Sequence, residues 1–361
     1  MSCLSTTLKV LASCALILTG ASGCTTPRAS GIHKTNRPFL SQADGRVSMG
    51  QSVNIGEVSQ YIDISGRDEH QPVLLYLHGG PGRSAIPSAH VYAESLERHY
   101  VVVHWDQRGT QRSFSEELQA FPLNFERLVA DTLELSSLLA DWFERERIVL
   151  VAEGGAALAA LKAADLRPEA FHALVLVSPF VERAEALIHG YNWALDKAHE
   201  SQRRDALLAL QAMGSPPWED GLALNNYKVL GDWLDRLGGT VPSRDAARMR
   251  RDIESAAPAG RRVRSELALQ GEAYSLERLW SALSTQEIAR QHTSVHVPLF
   301  IVAGRDNQRV PMAHVERYYE ALDAKRGKTL VQLDGVGHWP LLEAPERVIE
   351  LLVSRVWSMA R

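Results

Sequence analysis

At 361 residues the chain is long enough for one large domain or two ordinary ones, with a sizeable core. Its 45% hydrophobic and 23% charged residues are those of an ordinary globular protein, and a formal net charge of −4 with no basic stripe argues against nucleic-acid binding. The three cysteines, Cys3, Cys14 and Cys24, all lie near the N-terminus, which excludes a disulfide or cysteine-based metal site in the body of the chain.

Lys9 precedes an apolar run over residues 10–18, too short to span a bilayer but suited to a signal-peptide core. The run closes in Leu18-Thr19-Gly20-Ala21-Ser22-Gly23-Cys24, which resembles a bacterial lipobox, with Ala21 where leucine is usual. That resemblance implies a signal peptide over 1–23 and lipidation of Cys24, with an ordinary secretory peptide as the alternative. Thr25 rather than aspartate after the cysteine implies an anchor in the outer membrane, facing the periplasm. Residues 24–50, rich in Ser, Thr, Gly and Pro, read as a tether.

The folded body is expected from about residue 51. Residues 58–64 alternate as a half-exposed antiparallel strand should. Residues 72–77 and 100–105 are continuous apolar runs, the pattern of strands covered on both faces. They lead into His78-Gly79-Gly80-Pro81-Gly82 and Asp106-Gln107-Arg108-Gly109. Residues 125–144 carry leucines at helical spacing. Ile148-Val149-Leu150-Val151 then meets Ala152-Glu153-Gly154-Gly155-Ala156 and an alanine-rich helix, the local shape of a nucleophile elbow. A strand over 173–178 follows. Residues 181–292 show helical periodicity with no strand-like runs, and aromatics such as Tyr191, Tyr227 and Trp233 that suit packing. Strands return at 298–303 and 329–333, and a helix is expected from Pro345 to Met359. The alternation predicts an α/β fold with a doubly wound, mostly parallel sheet: core over 51–180 and 293–361, with a helical cap over 181–292. Ligands of such sheets bind beyond the carboxyl ends of the strands, where these motifs fall.

His78-Gly79-Gly80-Pro81-Gly82, Trp105-Asp106-Gln107-Arg108-Gly109 with Ser113, and Gly337-His338-Trp339-Pro340-Leu341-Leu342-Glu343 together resemble the α/β-hydrolase superfamily, and within it the proline iminopeptidase-like serine peptidases. The resemblance implies an oxyanion hole at Gly79, Gly80 and Gly155, and His338 as the general base. It implies no metal or organic cofactor. The other two triad positions depart from the family pattern. The nucleophile position is occupied by Gly154, and the acid position, in Gly304-Arg305-Asp306-Asn307-Gln308-Arg309-Val310-Pro311, by Asn307. In comparable triads the acid-to-amide change costs roughly 10⁴ in rate and loss of the nucleophile roughly 10⁶. The bulk of Gln111, where the family usually has glycine, and the charge of Arg112 are expected to reshape the floor of the site.

Three readings follow. The chain is a non-hydrolytic member whose capped pocket binds a small molecule or peptide; or a hydrolase of aminopeptidase, esterase or amidase type with altered catalytic residues, Glu153 and Asp306 being the alternatives; or a protein that works through its cap surface, with an unknown protein partner.

Overall fold

A computed structural model describes residues 44–218, 220–242, 244–262, 265–285 and 287–360. The expected signal peptide, Cys24 and the tether up to residue 43 lie outside the described residues.

Strands β1 (Val47–Ile55) and β2 (Val58–Gly66) form an antiparallel hairpin at one edge of an eight-stranded sheet. The sheet continues through β3 (Val73–Leu77), β4 (Val101–Trp105), β5 (Ile148–Glu153), β6 (Phe171–Val177), β7 (Leu299–Gly304) and β8 (Lys328–Leu333). The spatial order is β1-β2-β4-β3-β5-β6-β7-β8, with every pair from β4 onward parallel. β1 corrects the expected boundary, since residues 47–50, expected in the tether, belong to a strand of the sheet. The alternating exposure of this edge strand, with Gly50 and two serines, hides it among the polar residues of the tether.

Successive side chains of the central strands face opposite cores. Leu75, Leu77, Leu150, Ala152 and Ile301 pack against helices α1 (Phe125–Trp142) and α2 (Ala157–Leu166) through Leu135, Leu139 and Leu161. Leu74, Tyr76, Val149, Val151 and Phe300 pack on the other face against Val348 and Leu352. Both faces are covered, which is why these strands read as unbroken apolar runs.

Between β6 and β7 the chain forms α3 (Arg183–Glu200), α4 (Arg204–Met213), α5 (Asp220–Leu237), α6 (Ala246–Ser255) and α7 (Ser265–Thr285). Tyr191, Leu210, Leu230, Trp233 and Leu234 give α3, α4 and α5 a small core of their own. Leu276, Leu279 and Leu283 of α7 pack with Leu123. Helix α8 (Met312–Ala321) follows β7. The last helix is not continuous as expected: α9 (Pro345–Leu351) gives way to a π-helical turn over Leu352–Val356. Tyr100 Oη donates to the Leu352 carbonyl at 2.6 Å, taking an acceptor from the helix ladder at that turn.

Candidate functional site

The site is built where β5 ends. Its side chains are buried to Ala152, and the chain then turns at Gly154 into the 3₁₀ turn and α2. Gly154 has φ +49°, a left-handed conformation that costs a residue with a side chain about 1–3 kcal/mol. Space is available all the same: a Cβ there would meet only Phe180 at 3.4 Å and Gly79 Cα at 3.8 Å in ordinary contact. Gly155 lies closer to the glycine loop, and a Cβ on it would come 3.0 Å from the Gly79 carbonyl oxygen. The Gly79 loop and the elbow thus meet backbone to backbone. The N–H groups that open this turn lack intrahelical acceptors. Gly80 N–H is aimed at His78 Nδ1 at 3.2 Å, while Gln107 N–H is aimed at His78 Nε2 at 3.3 Å. Burial holds the His78 ring neutral by lowering its pKa to about 3, and a neutral imidazole accepts at only one nitrogen. The ring therefore engages one of these two N–H groups at a time.

The glycine loop is also where the core meets the cap. Gly82 has φ +70°, and a Cβ on it would run into the backbone of Gly271 and Glu272 in α7, 2.5 Å from the Gly271 oxygen. Arg83 pairs with Glu272 at 2.8 Å beside it.

On the opposite side of the elbow, Asn307 and His338 meet as their sequence positions suggested. Asn307 Oδ1 accepts from the N–H groups of Arg309 and Val310 at 3.0 and 3.1 Å. Those partners are donors only, so they fix the amide orientation and leave the Nδ2 amide group facing His338 Nδ1 at 3.1 Å. An amide nitrogen can only donate. His338 Nδ1 therefore accepts, and the ring proton of the neutral imidazole sits on Nε2. Burial, with the nearby charge of Arg309, holds the ring neutral by pushing its pKa well below the ordinary histidine value. An aspartate at 307 would accept from Nδ1–H and leave Nε2 free to take a proton; the asparagine imposes the other tautomer. The loop carrying His338 is held by Glu343, which accepts from Gly337 and Trp339 N–H at 2.8 Å each, and by His338 N–H donating to the Thr240 carbonyl at 2.7 Å.

Asp306 does not serve as an alternative acid. It is exposed, its backbone N–H donates to Val336 O, and the bond to His338 belongs to Asn307. The chain turns at Arg305 and Asp306, which leaves Asp306 in solvent and buries Asn307. Glu153 lines the cleft, but its carboxyl accepts from Tyr76 Oη at 2.5 Å and makes no hydrogen bond to His338. Burial raises its pKa.

The Asp106–Ser113 loop is structural. Gln107 Nε2 donates to His78 O at 2.9 Å, Ser113 Oγ donates to Asp106 O, and Arg108 forms a two-pronged pair with Asp131 at 2.8 and 3.1 Å. Arg108 and Asp131 are both buried, and Asp131 also accepts from Gln60 and Arg127. Gln111 and Arg112 do not form the site floor: Arg112 stacks on Tyr61 and donates to the carbonyls of Gly260 and Arg262 in the cap. Their size serves the junction of core and cap.

These elements enclose a cleft of ≈ 1190 Å³, counted to its open mouth, lined by Gly79, Gly154, Phe180, Glu153 and His338 on the core side. Tyr227, Lys228, Asp232, Arg250 and Glu254 face them from the cap. Chemically the cleft offers hydrogen-bond donors: His338 Nε2–H and the N–H groups at the elbow. It has no side chain at the apex and no ring nitrogen free to accept a proton there. Sequence reading missed Arg183, Arg309 and Tyr76 as neighbours of the site; nothing in the local pattern marks them, since distant segments bring them together.

Residues 74–351 match the family model described as Alpha/beta hydrolase family. A curated relative, the probable aminopeptidase YbaC of Bacillus subtilis (strain 168), is 26% identical over 300 residues, covering 83% of this chain and 93% of its own. Among solved structures, a proline iminopeptidase-related protein from Thermus thermophilus is similar with a TM-score of 0.60 at 23% identity, covering 87% of this chain and 98% of its own. A proline iminopeptidase of Mycobacterium smegmatis gives a TM-score of 0.53 at 15% identity, with 86% and 99% coverage.

Proposed function

The chain belongs to the Alpha/beta hydrolase family, and from that premise we propose that it is a proline iminopeptidase-like member that does not hydrolyse by the serine mechanism and uses its capped cleft to bind a small-molecule or peptide ligand. The observation that carries this reading is the pairing of Gly154 with the Asn307–His338 hydrogen bond. Acyl transfer by the triad needs a nucleophile whose proton passes to the imidazole. Here the apex has no side chain, and the nitrogen that would take the proton already holds one. Either change alone removes most of the rate, by roughly 10⁴ to 10⁶ in comparable enzymes. The likeness to a probable aminopeptidase and to iminopeptidase structures supports placing the chain in that group. We further propose, from the sequence, that the protein is exported and anchored through a lipid on Cys24 in the outer membrane, facing the periplasm.

The test is covalent labelling of the wild type and Gly154→Ser with a fluorophosphonate, together with turnover of proline-aminoacyl and short-ester substrates. The reading expects an unlabelled, inactive wild type. Labelled or active wild type contradicts it. A second reading, a hydrolase using Glu153, draws support from the place of that carboxyl in the cleft and its raised pKa. It requires wild-type turnover that Glu153→Gln abolishes.

A further inference from the structure

Beside the cleft, and sharing Phe180, Tyr227, Gly231 and Arg309 with its lining, lies a narrow apolar recess. Ala186, Leu187, Leu230 and Leu234 form its walls. Two guanidinium groups reach into this apolar space. Arg309 is accounted for in part: it pairs with Asp235 at 3.1 Å and donates to Gly231 O at 3.2 Å, but its Nε is buried without an acceptor. Arg183, at the start of α3, is only 4% exposed. Its guanidinium lies 4.8 Å from the centre of the Phe180 ring and 5.2 Å from that of Tyr227. Arg183 shares a side-chain hydrogen bond with Tyr227, but no ion pair joins it to a carboxylate among the described residues, and its Nε is buried with no acceptor. The arginines that line the cleft differ: Arg83 has Glu272, Arg250 is near Glu254, and Arg309 has Asp235.

A buried cation without a partner anion is costly, and aromatic faces offset only part of the lost hydration. A protein that keeps one beside a ligand cleft has a place for a negative charge. We propose that the recess is a carboxylate-binding subsite, in which Arg183, with Arg309 beside it, takes the carboxylate of an organic ligand whose apolar part packs against Leu187, Leu230 and Leu234. The planar guanidinium suits a carboxylate's two oxygens, and the apolar walls exclude the water that would weaken the contact. This deepens the reading of the cleft as a binding site and rests on it for the ligand remaining intact.

The experiment measures hexanoate and hexanamide binding to the wild type, Arg183→Met and Arg183→Lys by titration calorimetry at pH 7. The two probes differ in charge and little in shape. Wild type is expected to bind hexanoate at least about tenfold more tightly than hexanamide, the range of a charge-assisted hydrogen bond. Arg183→Met should abolish the preference and Arg183→Lys should keep part of it. Thermal melting of the ligand-free proteins is a second readout: methionine gives up the hydrogen bond to Tyr227 but removes a buried charge that no carboxylate neutralises, and should raise the melting temperature. Equal binding of the two probes, no hexanoate binding, or a lower melting temperature in Arg183→Met would each overturn the proposal. Fluorophosphonate labelling of the wild type would instead overturn the non-hydrolytic reading and leave the carboxylate preference standing.

Discussion

The two sides of the cleft around Gly154 differ in what holds them in shape. On the oxyanion side the shape is set by backbone against backbone: the Gly79 carbonyl against Gly155, and Gly82 against Gly271 and Glu272 of the cap. On the base side it is set by side chains: an apex with room for a Cβ, an amide where the family has a carboxylate, and an imidazole held by that amide. Close backbone contacts are part of the fold and persist whatever chemistry is required. Side chains that project into a cleft can change with little effect on packing.

The largest effect should come from rebuilding the altered side. Gly154→Ser with Asn307→Asp restores a nucleophile and an acid, and its turnover of a short ester should exceed the wild-type rate by about 10⁴ or more. Steady-state kinetics would show this; no gain would mean that the oxyanion side is also altered. Next comes Gly82→Ala. Its Cβ meets main chain that cannot rotate away, on top of a left-handed φ, so a loss of about 3 kcal/mol or more is expected in urea unfolding.

A smaller effect is expected from acid. Burial holds His78 and His104 neutral down to about pH 3, whereas in the unfolded chain histidine titrates near 6.5. Below pH 6.5 the unfolded state binds more protons, so each histidine weakens the fold by up to about 1.4 kcal/mol per pH unit. Asp106 acts in the opposite sense: burial pushes its pKa up to about 7, so its contribution is present at low pH and lost as pH rises through 7. His338, held neutral by burial, adds to the loss and Glu153, raised by burial, opposes it, so a net loss of stability is expected on going from pH 6.5 to 5, read from the shift in urea midpoint. The smallest effect belongs to Gly154→Ala. Its Cβ fits, and only the φ of +49° is unfavourable, for about 1 kcal/mol. A cost equal to that of Gly82→Ala would break the contrast between the two sides.

Much of this was legible in the residues. The apolar runs placed the five central strands within about two residues, because strands buried on both faces leave an unbroken signal, and β2 was placed by its alternation. The turn at Gly154 and the meeting of Asn307 with His338 also follow from local pattern and chain order. The edge strand from Val47 was hidden because half its residues face water, and the π turn at Leu352 depends on Tyr100, some 250 residues away in the chain. The Asp106–Ser113 loop was legible as a motif but not in its role. Only the contacts of Arg108 with Asp131 and of Arg112 with the cap make it structural. Arg183 left no trace in the sequence as a site residue, since having no carboxylate to pair with is a property of the assembled fold.

On the proposed reading, Asn307 gives His338 the wrong tautomer for a base. Long-range proton–nitrogen NMR of the His338 ring at pH 7 tests it directly. The account predicts a proton on Nε2 and a bare Nδ1 in the wild type, with the proton moving to Nδ1 in Asn307→Asp. A wild-type ring protonated at Nδ1 would contradict it.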